Sequence, residues 1–337
     1  MSATNKSGST RRAFLQSSTA LATATLIGLP ELASAEPPPE TTKIRLVKGP
    51  YLCFAPLYLA EALLRLEGFT EIEYVTIELT LPATLAKSAD LSLFGGPSII
   101  PAIDAGLPLT VLAGLHVGCW ELFGNERVKT VTDLKGKKVA ISGIGGVEHI
   151  WLSSILAYVG IDPRKDIIWV PTGKIAESQR RFLAGEVDAF LAFPPQPYDV
   201  RAAGVGHVIV NTTLDRPWSL YFCCILGANK QFVRQYPIAT KRALRALLKA
   251  TDICAEEPER AARFLGVKGF EPRYEVALEV LKSLPYNRWR HDNPEDTIRF
   301  HALRLHEVGM IKSTPQKIIA QGTDWRFLNE LKKELKA

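Results

Sequence analysis

The sequence predicts an α/β protein of two lobes, in which each lobe is a mostly parallel sheet flanked by helices. β-rich and helical segments alternate between Lys43 and Leu115, which indicates strand–helix–strand units. A second cycle of the same kind begins abruptly at Thr132, and helical segments then continue almost to the end of the chain. A chain of 337 residues is long enough for two lobes of ordinary size.

The first cycle is predicted from side-chain spacing and from the positions of glycine and proline. Apolar residues follow helical spacing after Pro56, and Gly68 stops that helix. Short runs that alternate or are continuously apolar predict strands on either side of it. The predicted strands span residues 43–47, 73–79, 91–94 and 109–115, and the predicted helices span residues 56–66 and 97–105.

The second cycle is followed by a helical tail, in which proline recurs at or near the first helical position. Strands are predicted at residues 139–142, 167–170, 189–193, 207–210 and 221–226, and helices at 147–159, 175–183, 237–255, 258–264, 274–284, 294–308 and 315–320. We therefore expect lobe 1 to begin with residues 36–125, lobe 2 to span residues 126–219, and a return crossover and helical second part of lobe 1 to span residues 220–337.

The first 35 residues are predicted to be an export signal. The pair Arg11-Arg12, followed by Phe14 and Leu15, resembles the bacterial twin-arginine consensus. The apolar stretch that follows is shorter than the roughly 20 residues that span a bilayer. It ends in a small-x-small cleavage site at residues 33–35. We expect cleavage after Ala35, a periplasmic location, and no membrane span in the mature chain.

Charge and cysteine content exclude several classes of protein. The net charge of +6 is spread along the chain, so nucleic-acid binding is poorly supported. An odd number of cysteines without a CxxC motif does not indicate a disulfide framework, and we expect buried free thiols. A thiolate metal site at Cys223-Cys224 stays open as an alternative, although adjacent residues on a strand point to opposite faces. The cysteines are Cys53, Cys119, Cys223, Cys224 and Cys254.

Five segments of the mature chain resemble the type 2 periplasmic solute-binding proteins of the nitrate/sulfonate/taurine and thiamine-pyrimidine group. The resemblance implies two lobes joined by two crossover strands, near Glu121–Phe123 and Tyr221–Leu226, that hinge shut on a solute. It also implies delivery to a membrane permease driven by an ATPase. We expect a monomer without a cofactor. The segments are residues 51–61, 89–96, 104–108, 133–139 and 183–189.

Ligands of open α/β sheets bind outside the carboxyl ends of the strands, which places four loops and the second crossover in the cleft. Aromatic residues there suit a planar ligand, and glycines let the backbone approach it. Packing in the lobe core or plain helix capping is the alternative for each of them. The candidate contacts are Tyr51, Phe54, Phe94, Gly95, Gly96, Ser98, Gly145, Gly146, Glu148, His149, Phe193, Tyr198, Trp218 and Tyr221.

The chemistry of the ligand depends on the glycine turn at residues 143–146. A glycine turn that leads into a helix is a ready anion site, yet Glu148 in the first turn of that helix would repel nitrate or a sulfonate. We therefore expect a small, planar, uncharged or zwitterionic molecule first, such as a pyrimidine or another heterocycle, and a sulfonate second.

Two other functions stay open. The fungal-type pyrimidine synthases of the same fold carry a lysine and a histidine after the strand that matches residues 91–94. This chain has Gly95, Gly96, Pro97 and Ser98 there, which argues against that chemistry. No nucleophile elbow, P-loop or HExxH motif is present, so we expect a binding protein rather than an enzyme. A periplasmic sensor domain is the third possibility.

Overall fold

The computed structural model describes residues 36–49, 51–77 and 80–337. The predicted export signal at residues 1–35 lies outside the described residues. The strands are β1 (Lys43–Lys48), β2 (Glu71–Thr76), β3 (Leu91–Gly95), β4 (Leu109–Val117), β5 (Glu121–Gly124), β6 (Lys138–Ile141), β7 (Ile168–Pro171), β8 (Ala189–Ala192), β9 (His207–Asn211) and β10 (Phe222–Asn229).

The helices surround these strands and make up most of the chain after β10. They are α1 (Ala55–Leu66), α2 (Leu81–Ser88), α3 (Ile100–Asp104), α4 (Val147–Tyr158), α5 (Ile175–Leu183), α6 (Gln196–Ala203), α7 (Lys230–Gln235), α8 (Pro237–Glu256), α9 (Pro258–Val267), α10 (Tyr274–Ser283), α11 (Pro294–Glu307), α12 (Pro315–Gly322) and α13 (Arg326–Glu334). Short 3-10 turns lie at Leu52–Phe54, Gly96–Ile99, Val131–Leu134, Trp218–Leu220 and Tyr286–Arg290.

The strands form two five-stranded sheets, in the orders β2-β1-β3-β10-β4 and β7-β6-β8-β5-β9. In each sheet one strand runs antiparallel to its neighbours: β10 in the first and β5 in the second. Each of these is the first strand after the chain passes from one sheet to the other. The predicted fold of two mostly parallel lobes with two crossovers is therefore confirmed. The first crossing lies between Val117 and Glu121, before the expected start of lobe 2 at residue 126.

Each lobe has a core that holds its strand ends in place. In the first lobe β4 is buried along its whole length, because helices cover both faces of the sheet and α8 packs against α1. In the second lobe Phe123, Phe182 and Phe190 pack together, with the rings of Phe123 and Phe190 5.9 Å apart. Helix α11 of the tail also contacts α4 of the second lobe, so the two lobes meet beside the cleft.

Proline changes two of the predicted elements. The helix predicted at residues 97–105 is a 3-10 turn, Gly96–Ile99, followed by the short helix α3, because Pro101 has no N–H to continue an α-helical hydrogen-bond ladder. The predicted aromatic-proline loop at 193–198 ends in a helix, since Gln196 already begins α6 and Pro197 fits its first turn.

The described residues contain no helix that is both long and apolar enough to cross a membrane. All five cysteines are buried and free, as the sequence predicted.

Candidate ligand-binding site

A cavity of about 570 Å³ lies between the two lobes, at the carboxyl ends of the parallel strands of both sheets. β3 ends at Gly95, Ser142 follows β6 and Phe193 follows β8, and all three line the cavity. This is the position that the strand-end rule predicts. The wall is formed by Tyr51, Cys53, Phe54, Ile77, Thr80, Leu81, Pro82, Ala83, Gly95, Ser98, Pro101, Ala102, Leu107, Trp120, Ser142, Gly145, Gly146, Val147, Ile150, Ile175, Phe193, Cys223 and Cys224.

Aromatic rings from both lobes form one side of the cavity. Tyr51 of the first lobe lies 4.8 Å from Phe54 and 4.9 Å from Phe193 of the second lobe, between ring centroids. Trp120, in the first crossing, lies 5.0 Å from Phe193. The contact between Tyr51 and Phe193 forms only when the lobes meet. The rings therefore form an aromatic surface that both lobes contribute to.

The wall carries hydroxyl and thiol groups. None of the wall residues that the structure describes is an Asp, Glu, Lys, Arg or His. The Ser98 hydroxyl donates to the Gly95 carbonyl at 2.7 Å, and Ser142 donates to Glu148 at 2.8 Å. Burial raises the pKa of the Tyr51 phenol well above its ordinary value, so this group stays a neutral hydrogen-bond donor. The described wall residues therefore present no cationic side chain to the cavity.

Glu148 lies in the first turn of α4 and is not one of the residues that form the cavity wall. Its side chain is buried, and one carboxylate oxygen accepts a hydrogen bond from the Ser142 hydroxyl. Burial raises the pKa of this carboxyl. Gly145, with φ of +78°, makes the turn that leads into the helix. The chain thus supplies its own acidic group where a helix N-terminus would otherwise hold a small oxyanion.

Several sequence candidates lie behind the wall and support it. Phe94 packs inside the first sheet against Gly227. A Cβ on Gly96 would lie 2.6 Å from the carbonyl oxygen of Phe222. The absence of a side chain at Gly96 therefore lets the backbone beside β10 pack closely against this turn, and Gly96 does not line the cavity. The His149 ring packs edge-on against Trp169 at 4.8 Å.

Three further candidates lie away from the cavity. Trp218 packs against Tyr158 at 5.7 Å. Tyr221 stacks on Phe300 at 4.1 Å between ring centroids. Tyr198 lines a separate cavity of about 360 Å³ and donates a hydrogen bond to Glu279 of α10. Tyr198 therefore joins the two lobes from outside the main cavity.

Sequence reasoning missed two parts of the wall. One is Trp120, which lies in the first crossing between β4 and β5. The position of that crossing at the base of the cleft could have indicated it. The other consists of Ile77 and residues 80–83, which follow β2 and satisfy the same strand-end rule as the predicted loops.

The floor of the cavity carries a group of thiols. Cys53, Cys223 and Cys224 line it, and His116 lies directly behind them. Among the described residues, Cys53, His116 and Cys224 form a group that could hold a metal ion, with all three ligand atoms within 4.8 Å of one another.

Comparisons with known proteins agree with this architecture. The nitrate/nitrite-binding protein NrtA of Synechocystis sp. is 28% identical over 167 residues, which are 48% of this chain and 35% of that relative's length. The crystal structure of the periplasmic nitrate-binding protein NrtA from Synechocystis PCC 6803 superposes with a TM-score of 0.73 at 19% identity, over 89% of this chain and 90% of that one.

Two further solved structures are also similar. The alkanesulfonate-binding protein SsuA from Xanthomonas axonopodis pv. citri, bound to MOPS, has a TM-score of 0.61 at 22% identity, over 73% of this chain and 86% of that one. The desulfurization enzyme DSZB has a TM-score of 0.59 at 15% identity, over 88% of this chain and 99% of that one. At these identities the likeness concerns the fold.

Two sheets, two crossings and a cavity between the lobes define the periplasmic binding protein fold. The family described as NMT1/THI5 like matches residues 72–261, more than half of the chain. The chain belongs to the NMT1/THI5-like family.

Proposed function

We propose that the chain is the solute-binding component of an ABC importer, and that it captures a planar, uncharged or zwitterionic organic molecule between its lobes. The observation that carries this proposal is the cavity wall, in which aromatic rings from both lobes face hydroxyl and thiol groups. The cavity of about 570 Å³ lies within the range of roughly 300–1,000 Å³ that is typical of small-molecule sites.

The comparisons support an importer component, because the similar proteins NrtA and SsuA are described as binding proteins for nitrate and alkanesulfonate. The chemistry of this cavity favours a different guest. A buried carboxyl group, Glu148, takes the start of α4, and the described wall residues offer no cation to a nitrate or sulfonate. A pyrimidine or related heterocycle could instead lie against Tyr51 and Phe193.

Closure would be completed at the edge of the cleft. Tyr198 donates to Glu279, and Asp199 forms an ion pair with Arg273 at 2.6 Å between Oδ1 and Nη1. α6 belongs to the second lobe, and Glu279 and Arg273 belong to the tail that packs on the first lobe. A solute selects the closed state through contacts that exist only when both lobes meet. That state would then dock on a permease driven by an ATPase.

Export through the twin-arginine route to the periplasm is part of the same proposal. Proteins that use this route cross the membrane already folded. Five buried free thiols suit such a route, because folding would enclose them before they reach an oxidising compartment.

The test is calorimetry on the purified protein with pyrimidines, other heterocycles, taurine and nitrate, together with native mass spectrometry for a co-purifying molecule. Binding of a heterocycle with no response to taurine or nitrate supports the proposal. Tight binding of taurine or nitrate alone contradicts the choice of guest. A protein that closes on none of them, and co-purifies with nothing, contradicts the binding role.

An enzyme on this fold is the second candidate, and one observation favours it. Cys53 lines the cavity, and hydrogen bonds from Cys119 and Cys224 lower the pKa of its thiol well below the ordinary value. A thiol with a lowered pKa beside an imidazole is a potential nucleophile. Conversion of a heterocycle or sulfonate by the isolated protein, measured by mass spectrometry, would favour the enzyme over the transporter component.

A further inference from the structure

Four thiols and one imidazole meet at the floor of the cleft. Cys53 lies in the 3-10 turn after β1, His116 in β4, Cys119 in the first crossing, and Cys223 and Cys224 in β10. All five side chains are buried. These five residues come from distant parts of the chain, so no sequence motif predicts the cluster.

His116 is oriented as a metal ligand. Its Nδ1 lies 3.1 Å from the carbonyl oxygen of Val117, and because a carbonyl can only accept, Nδ1 carries the proton. When the ring is neutral, Nε2 holds a free lone pair, and this buried atom has no hydrogen-bond partner among the described residues. The ring is fixed by edge-on packing against Tyr286 at 4.9 Å. A backbone carbonyl that holds one ring nitrogen while the other faces a donor set is typical of metal-binding histidines.

Two short sulfur–sulfur contacts occur among the four thiols. The Sγ atoms of Cys119 and Cys223 lie 2.7 Å apart and are each other's hydrogen-bond partners. The Sγ atoms of Cys53 and Cys224 lie 3.7 Å apart. A tetrahedral zinc ion with Zn–S bonds of about 2.3 Å separates two sulfur ligands by about 3.8 Å. The second pair therefore already has the spacing that one ion requires.

We infer that Cys53, Cys224 and His116 bind one zinc-like divalent ion through Sγ, Sγ and Nε2. Two thiolates, one neutral imidazole and a divalent cation sum to zero charge, which is the arrangement a buried site favours. A monovalent copper ion on the same ligands would leave an uncompensated negative charge. Binding releases the two thiol protons to solvent.

The site has an open side. Cys53 and Cys224 both line the cavity, so a fourth position that the protein does not fill would face the solute space. Zinc sites with three protein ligands keep such a position for water or another donor. The adjacent residue Cys223 is directed to Cys119, so only one member of the Cys223-Cys224 pair serves as a ligand. The metal site itself does not depend on the proposed solute.

The test uses the full chain, reduced and stripped with a chelator under anaerobic conditions, then loaded with Zn²⁺ or Co²⁺ and desalted. We expect one ion per chain by plasma mass spectrometry. We also expect a thiolate-to-cobalt charge-transfer absorption with tetrahedral cobalt bands, and a higher melting temperature of the zinc-loaded wild-type protein. The last two measurements need no variant. Substoichiometric metal, or a cobalt spectrum without thiolate absorption, would overturn the assignment.

Variants identify the ligands. Loss of a residue that only hydrogen-bonds to a metal ligand lowers metal affinity about 10- to 100-fold. Loss of a ligand itself should cost more, so Cys53→Ser, Cys224→Ser and His116→Gln should each weaken zinc binding by at least about 100-fold. Cys254→Ser is the matched control, because Cys254 is also a fully buried free thiol but does not belong to the group of three ligand residues. Cys119→Ser should retain the ion. Equal loss of zinc in Cys254→Ser, or full loss in Cys119→Ser, would contradict the three-ligand site.

Discussion

Replacement of Phe193 by leucine tests whether the aromatic wall binds the solute. Phe193 is almost fully buried, and its ring contacts Tyr51 across the cleft at 4.9 Å. Aromatic pairs contribute about 0.5–1.5 kcal/mol each beyond the area that they bury. Phe193→Leu removes two such contacts across the cleft, one with Tyr51 and one with a planar solute, besides its ring contact with Trp120 in the first crossing. The expected loss of about 1–3 kcal/mol corresponds to a Kd raised about 5- to 150-fold.

Phe190→Leu is the matched control for this experiment. Phe190 lies in β8, close to Phe193 in sequence and equally buried, but it packs against Phe123 and Phe182 in the core of the second lobe. We expect Phe190→Leu to lower the melting temperature and to leave the Kd of the folded protein unchanged. Calorimetry with the solute identified by native mass spectrometry gives both affinities, and thermal denaturation gives both stabilities. An unchanged Kd in Phe193→Leu, or an equal loss of affinity in Phe190→Leu, would refute the assignment of the wall.

The remaining predictions concern the helix start, the cleft edge and one glycine. Burial raises the pKa of Glu148 above the ordinary 4.5, so the folded chain holds this proton longer than the unfolded chain, and stability falls as pH rises from about 4.5 through the raised pKa. Glu148→Gln should flatten the curve of melting temperature against pH in that range. Identical curves for the variant and the wild type would contradict this prediction. Asp199→Ala breaks the exposed ion pair with Arg273, so the Kd for solute should rise less than about fivefold, and only at low salt in calorimetry. Gly96→Ala places a Cβ 2.6 Å from the backbone oxygen of Phe222 and should cost about 1–3 kcal/mol in denaturant unfolding, whereas Gly143→Ala, with open space at its Cβ, should be near neutral.

The regular elements were predictable where one physical signal dominates. The helix predicted at residues 175–183 is α5, Ile175–Leu183, because its apolar residues follow helical spacing and glycine follows its end. The buried strand predicted at 91–94 is β3. By contrast α2 was missed, because Pro82 and several small residues hide its periodicity. Its start is fixed by Thr80, which accepts a hydrogen bond from the backbone N–H of Ala83.

The site was predictable only as far as topology determines it. The strand-end rule placed Tyr51, Gly95 and Phe193 on the cavity wall. The same rule could not separate these residues from Tyr221, which stacks on Phe300 instead, because the direction of a side chain beside a crossing depends on packing. The contact between Cys224 and Cys53 could not be predicted from the sequence either. The pairing register of β10 shifts on both sides of Cys224, so its side chains do not simply alternate between the two faces of the sheet.

The solute cavity and the proposed metal site differ in what closure does to them. The three metal ligands belong to the first lobe and its strand β10, where Cys224 lies opposite His116 in the sheet register. The cavity wall instead needs residues from both lobes, such as Tyr51 and Phe193. Metal binding should therefore be insensitive to closure, whereas solute binding depends on it. Phe193→Leu is then expected to retain zinc with wild-type stoichiometry while losing solute affinity. Parallel loss of both would mean that the solute itself completes the coordination of the ion and that the two sites act as one.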